Sequence, residues 1–155
     1  MRPLSEPAEC SDAKILALAS LTMIVALVVF VGSVSSGILR HLVQTSPSWL
    51  TVYFGFRQRG IAKWTALPTY LFWLPLMILI WGYLLGWTRM ISGHFLPIEI
   101  AMTIVVAIAS SVGIAQSLRI RSATNWLTAL SVSAVVLALQ LAAFRLSLLP
   151  GIANH

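Results

Sequence analysis

The chain has 155 residues, of which 59% are hydrophobic and 9% charged, where a soluble domain carries roughly a quarter. So few charges cannot cover a soluble surface of this size, which excludes an ordinary water-soluble domain and makes lipid part of the solvent. Ten Lys and Arg against four Asp and Glu give a net charge of +6, but the cations sit in short stretches between apolar runs, as membrane-flanking loops require, so nucleic acid is excluded as a partner.

The segment before the first apolar run holds Glu6, Glu9 and Asp12 against Arg2 and Lys14. A cleaved signal peptide needs a positive start and a shorter apolar core, so the run 15–39 is expected to be a retained helix. Cys10 is the single cysteine, which leaves no internal disulfide and no cysteine metal cluster. Gly32 with Ser36, and Ser33 with Gly37, offer small side chains for close helix packing.

The stretch 40–65 is the long connection of the chain. Ser46 can cap a helix that begins at Pro47, and Gly60 can end it. Trp49, Tyr53 and Phe56 fall at helical spacing on one face, followed by Arg57, Arg59 and Lys63. The pattern predicts an amphipathic helix lying in the cytoplasmic interface, with these six residues contacting anionic headgroups or a partner.

The run 66–91 is the second predicted span, bracketed by Trp64 and Trp87. Gly82 and Gly86 form a GxxxG pair, and the interior Pro75 removes a donor and predicts a kink.

The run 95–118 is the third span and opens on "FLPIEIAM", which contains Glu99, the last carboxylate in the chain. Pro97 suits the first helical position and puts Glu99 third, where it can cap free amides and meet the positive helix end. Alternatively, Glu99 pairs with Arg145, the basic residue inside the fourth span at 126–150. Antiparallel third and fourth helices bring both to similar depth. Glu99 shares a face with Thr103, Ser110 and Ser117, and Arg145 lies near the line of Ala134, Ala138 and Ala142. Arg89 and His94 lie on the same side and could compete for Glu99.

Each run exceeds the roughly 20 residues that cross a bilayer core, and backbone in lipid must satisfy itself, so all four are helices. The fold class expected is an all-α integral membrane protein: a four-transmembrane-helix bundle with an interfacial amphipathic helix between helices one and two. Arg40, Arg57, Arg59, Lys63, Arg119 and Arg121 fall on one side against Arg2, Lys14 and Arg89 on the other. That excess places both termini outside, with a bacterial plasma (inner) membrane as the expected location.

No GxxxxGK, GxGxxG, metal-ligand spacing or nucleophile–His–acid arrangement is present, so no cofactor and no metal are expected. His41 and His94 are assigned to opposite sides of the membrane, which excludes a haem between them. Three functions follow in order of support. The first is an accessory, assembly or scaffold component acting through helix and basic-loop contacts, with a membrane-protein partner or a second copy of itself. The second is a small oligomeric transporter or ion-conducting protein with Glu99 and Arg145 at an outer gate, which requires a polar cavity along the Glu99–Ser117 stripe. The weakest is an enzyme on a lipidic substrate, which requires a cleft beside His41 or His94.

Overall fold

The computed structural model describes residues 7–89, 94–122 and 124–153. Arg2 and Glu6, used above, lie outside these residues. The described chain is helical in eight α segments and one π segment. These are α1 (Pro7–Val25), a π-helical stretch (Ala26–Val31), α2 (Gly32–Val34), α3 (Ile38–Thr45), α4 (Ser48–Phe56), α5 (Ala62–Leu84), α6 (Pro97–Arg119), α7 (Trp126–Ser147) and α8 (Pro150–Ala153). Four helical stretches, Cys10–Val34, Ala62–Leu84, Pro97–Arg119 and Trp126–Ser147, are long and apolar enough to cross a membrane. The 23 residues of α5 measure about 35 Å. Large apolar side chains point outward along these helices, such as Ile78 at 63% and Ile108 at 59% exposure. A surface of that kind suits hydrocarbon.

The ends of the long helices follow from local chemistry. Pro97 starts α6 at a position whose amide would lack a partner anyway. The Asn125 side chain accepts from the Leu127 amide at 3.2 Å and starts α7. Gly86, at φ +76°, closes α5: the Trp87 amide donates to the Gly82 carbonyl at 2.8 Å, and the Gly86 amide to the Tyr83 carbonyl at 3.0 Å. This paired closure needs a left-handed residue just past the helix, so Gly86 is a cap and not half of a packing pair with Gly82. Pro68 and Pro75 both lie within α5, which is α-helical throughout.

The connection 40–65 departs most from expectation. It does not lie flat at one end. After α2 the chain turns through Ser36 (φ +54°) and runs back along the bundle as α3 and α4. Here α3 packs on the π segment and α7, while α4 packs on α1 and α5. Gly55 sits on the first turns of α1, where a Cβ would come within 2.7 Å of the Ala13 carbonyl oxygen and 2.8 Å of the Ala17 Cβ. Gly32 serves the opposite turn, where a Cβ would lie 3.0 Å from the Ile38 Cα. Gly32, Ser33, Ser36 and Gly37 therefore belong to a reversal and not to a face between two spans.

The reason for the return path is an inside-out amphipathic pattern. Gln44, Thr45, Ser48 and Thr51 are buried, whereas Trp49, Tyr53 and Phe56 are exposed. Thr45 Oγ1 donates to the His41 carbonyl at 2.8 Å and Thr51 Oγ1 to Thr65 Oγ1 of α5 at 3.3 Å, while the Ser48 hydroxyl is buried without a partner. Pro47 has no amide to continue the helix, so α3 and α4 are separate. Beside this break the Gln44 carbonyl accepts from Gln140 Nε2 of α7 at 2.9 Å, and Gln44 Nε2 donates to Ser147 Oγ at 2.9 Å. The Ser46 hydroxyl turns back to the Val43 carbonyl at 2.8 Å and does not cap α4.

The core is built on α1, α5 and α6. Tyr70 and Leu16 are fully buried, as is Val106, and Trp73 and Met77 are nearly so. Tyr70 donates to the Leu16 carbonyl at 3.0 Å and lies 2.7 Å from Ser20 Oγ. α5 is central because it offers two opposite faces. At about 100° per residue, Tyr70, Met77 and Trp81 fall on one side and Phe72 on the other. Trp81 Nε1 donates to Thr103 Oγ1 of α6 at 3.0 Å. Phe72 stacks edge-on with Phe144 of α7 at 5.4 Å between ring centres. α6 and α7 thus flank α5 and share no substantial interface.

Candidate functional site

The return of α3 and α4 gives the bundle two ends of different character. One, the Pro7 end, gathers Gly55 against α1, and Lys63, whose Nζ donates to the Ile120 carbonyl at 3.2 Å. The other, the Glu99 end, gathers the π segment, α3, the last turns of α5 and α7, and the first turns of α6. A cavity of about 390 Å³ opens among them. Leu27, Val31 and Ser35 form one wall, Trp73, Leu76, Met77 and Ile80 a second, and Phe95 and Phe144 close it. Into this apolar cup come Arg40, His41, Gln44, His94, Glu99 and Thr103. The wall from the first helix is its π-helical part, a wider turn that is frequent at functional sites.

Glu99 does what the cap reading expects. Its Oε2 accepts from the Leu96 amide at 2.8 Å, three residues back, at the start of α6. Leu96 has no side-chain oxygen to reciprocate, so this is half of a capping box. The carboxylate is only partly exposed, and both its charge and that of Arg40 act on His41.

The predicted Glu99–Arg145 pair is not formed. Arg145 is exposed on α7, and α7 does not pack on α6. Ala134, Ala138 and Ala142 share its outward face. The inner face of α7 instead runs through Ala129, Val136, Gln140, Ala143 and Ser147. The residues grouped with Arg145 do share one face, but Gln140 and Ser147 have partners inside and Arg145 has none there. Arg89 is exposed and does not line the cavity, whereas His94 is exposed and does.

The assignment of His41 and His94 to opposite sides is also corrected. The chain runs back along the bundle through 38–56, so His41, at the start of that return, lies at the Glu99 end and both histidines line one cavity. Among the described residues, no group of three His, Cys, Asp or Glu is placed to hold a metal ion.

The polar stripe of α6 is buried, but against α1 and α5. Thr103 Oγ1 donates to the Ile100 carbonyl at 2.7 Å while accepting from Trp81, and Ser117 Oγ donates to the Gly113 carbonyl at 2.8 Å. Ser110 is fully buried with its hydroxyl unpaired. Between them Gly113 lies against the Tyr70 ring, which leaves no space even for a methyl group. The cavity reaches Thr103 and goes no further down the stripe.

In the segment 49–63 the basic residues are held unequally. The Arg57 guanidinium lies 5.6 Å from the centre of the Tyr53 ring, and Lys63 Nζ lies 5.0 Å from the Trp64 ring. Arg59 is half-buried and has partners within the protein. Trp49, Tyr53 and Phe56 are 49%, 56% and 49% exposed.

The reading from sequence missed Gln44, Trp73 and the role of Arg40. The available signal was Gln44 with Ser48 and Thr51, spaced for one helical face opposite the aromatic residues. The chain matches no known family model, no curated protein and no solved structure at significant similarity.

Proposed function

We propose that this is a polytopic membrane protein that acts through contacts, as an accessory, assembly or scaffold component, and does not conduct solutes. The observation that carries this reading is the closure of the α6 stripe by Tyr70 against Gly113. A path for ions needs a continuous polar cavity, and here the hydroxyls below Thr103 serve packing. The outward apolar faces of α7 and the aromatic face of α4 supply surface for lipid, a partner helix or a second copy.

In this reading α3 and α4 make a fifth pass, and the ends of the chain lie on opposite sides. Lys14, Arg57, Arg59, Lys63, Arg119 and Arg121 gather toward the Pro7 end, against Arg40, Arg89 and Arg145 toward the Glu99 end. The excess of cations puts the Pro7 end in the cytoplasm and the Glu99 end outside. The proposal is tested by reconstitution into liposomes with proton-, Na⁺- and K⁺-sensitive dyes trapped inside. Leak equal to that of empty liposomes is expected; flux above it that rises with the amount of protein would sink the proposal.

One observation favours a second reading. His41 and His94 lining a single cavity suits an enzyme acting on a lipidic substrate. That reading requires turnover of a lipid substrate that is lost in both His41→Gln and His94→Gln.

A further inference from the structure

The cavity at the Glu99 end contains nitrogens that the protein itself leaves unpaired. Arg40 Nε, His41 Nδ1 and Trp73 Nε1 are all buried and make no hydrogen bond. All three belong to residues that line the cavity, and Trp73 is 2% exposed. Buried polar groups are nearly always paired, so several unpaired around one cavity are a sign of something that completes them. Arg Nε and Trp Nε1 can only donate. The missing group therefore presents acceptors.

Charge narrows the chemistry. Arg40 is partly exposed and carries a fixed positive charge, with its Nε buried at a mostly apolar cavity. Glu99 lines the same cavity, but its carboxylate accepts from the Leu96 amide and makes no direct contact with the Arg40 guanidinium among the described residues. An anionic oxygen on a ligand would supply both the countercharge and the acceptors, through charge-assisted hydrogen bonds. The remaining wall is apolar, from Leu76, Met77, Ile80 and Phe144. At about 390 Å³ the cavity lies in the usual range for a small-molecule site.

We infer that this cavity is a binding site for an anionic amphiphile, with a carboxylate or phosphate head on Arg40, His41 and Trp73 and an apolar body against α5 and Phe144. The site takes its ligand from the bilayer, as a fatty acid or lipid, or from solution, as a free anion that occupies the head position. The inference is separate from the contact role, since occupancy in detergent needs neither a partner nor a flux. It is equally separate from turnover at the histidines, since it concerns what is held and not what is converted.

The test is a scintillation proximity assay on the purified chain in dodecyl maltoside with tritiated laurate. Saturable binding of about one laurate per chain is expected. Losing a charge-assisted bond in Arg40→Gln should weaken it about ten- to a hundredfold. Trp73→Phe, which keeps the ring and removes only the N–H, should weaken it severalfold, and Arg145→Gln should leave it unchanged. Trp73→Phe also keeps the test valid if Arg40→Gln fails to fold. Displacement by inorganic phosphate supports the site with a soluble anion as its source; resistance to phosphate with displacement by unlabelled laurate supports it with a lipid source. Displacement by dodecanol as effective as by laurate would overturn the inference, since the head would then not matter. Absence of saturable binding, or unchanged binding in a folded Trp73→Phe and Arg40→Gln, would overturn it as well.

Discussion

Replacing Gly113 by alanine puts the close approach of α5 and α6 under direct strain. An added Cβ would overlap the Tyr70 ring, and even the farthest of the three nearest ring carbons is 2.5 Å away. That ring is fully buried and fixed by the Leu16 carbonyl and Ser20 Oγ, so it cannot swing aside without losing both bonds. Overpacking a close-packed interior costs about 1–3 kcal/mol, and each hydrogen bond lost adds about 1 kcal/mol. Gly113→Ala should therefore destabilise the folded bundle by about 3 kcal/mol. The assay is unfolding in mixed micelles, titrated with sodium dodecyl sulfate and followed by tryptophan fluorescence. Tyr70→Ala destabilises on its own by leaving a cavity, but it removes the atoms that Gly113→Ala strikes, so the double variant should lose much less than the sum. A wild-type transition in Gly113→Ala, or strict additivity with Tyr70→Ala, would refute the contact as described.

Other outcomes follow from the same packing. Glu99→Ala should cost about 0.5–2 kcal/mol through the lost helix cap, and its effect should add to that of Arg145→Gln within about 0.5 kcal/mol; strong coupling in the same micelle titration would restore the ion pair. Gln140→Leu leaves the Gln44 carbonyl without its buried donor and should cost about 1–3 kcal/mol, which a normal unfolding curve would contradict. Gly86→Ala forces a left-handed φ on a residue with a side chain and should cost about 1 kcal/mol, read as a lower melting temperature. For the five-pass path, a membrane-impermeant maleimide on intact cells lacking Cys10 should label Trp87→Cys but reach Ser11→Cys only after lysis. Labelling of Ser11→Cys on intact cells would return the chain to an even number of passes.

The long helices were legible because their signal is crude: more than 20 apolar residues in a row leave the backbone little choice. The start of α6 was legible too, since Pro97 and Glu99 act through bonds three residues apart. What could not be read was which way a face points. In a soluble protein Gln44, Ser48 and Thr51 on one side and Trp49, Tyr53 and Phe56 on the other mean polar out. Here the polar side is buried, with Thr51 bonded to Thr65 and Gln44 to Gln140 and Ser147 while the Ser48 hydroxyl stays unpaired, and the aromatic side faces outward. The same ambiguity inverted α7, where the alanine line is lipid-like surface and Gln140 is core. With 40–65 read as lying at one end, Arg40 and His41 fall at the wrong end, and the cavity they share with Glu99 is out of reach.

The segment α3–α4 also constrains how the chain is made. In the five-pass reading, with Arg40, His41 and Gln44 in it and a proline break at its centre, it suits lipid poorly on its own. Its acceptable environment is created by other parts of the chain: α1 before it, α5 and α7 after it. The α7 partners of Gln44, Gln140 and Ser147, lie roughly a hundred residues later in the chain. In the five-pass reading, the contacts of α3 with α7 can therefore form only once the last helix has been synthesised.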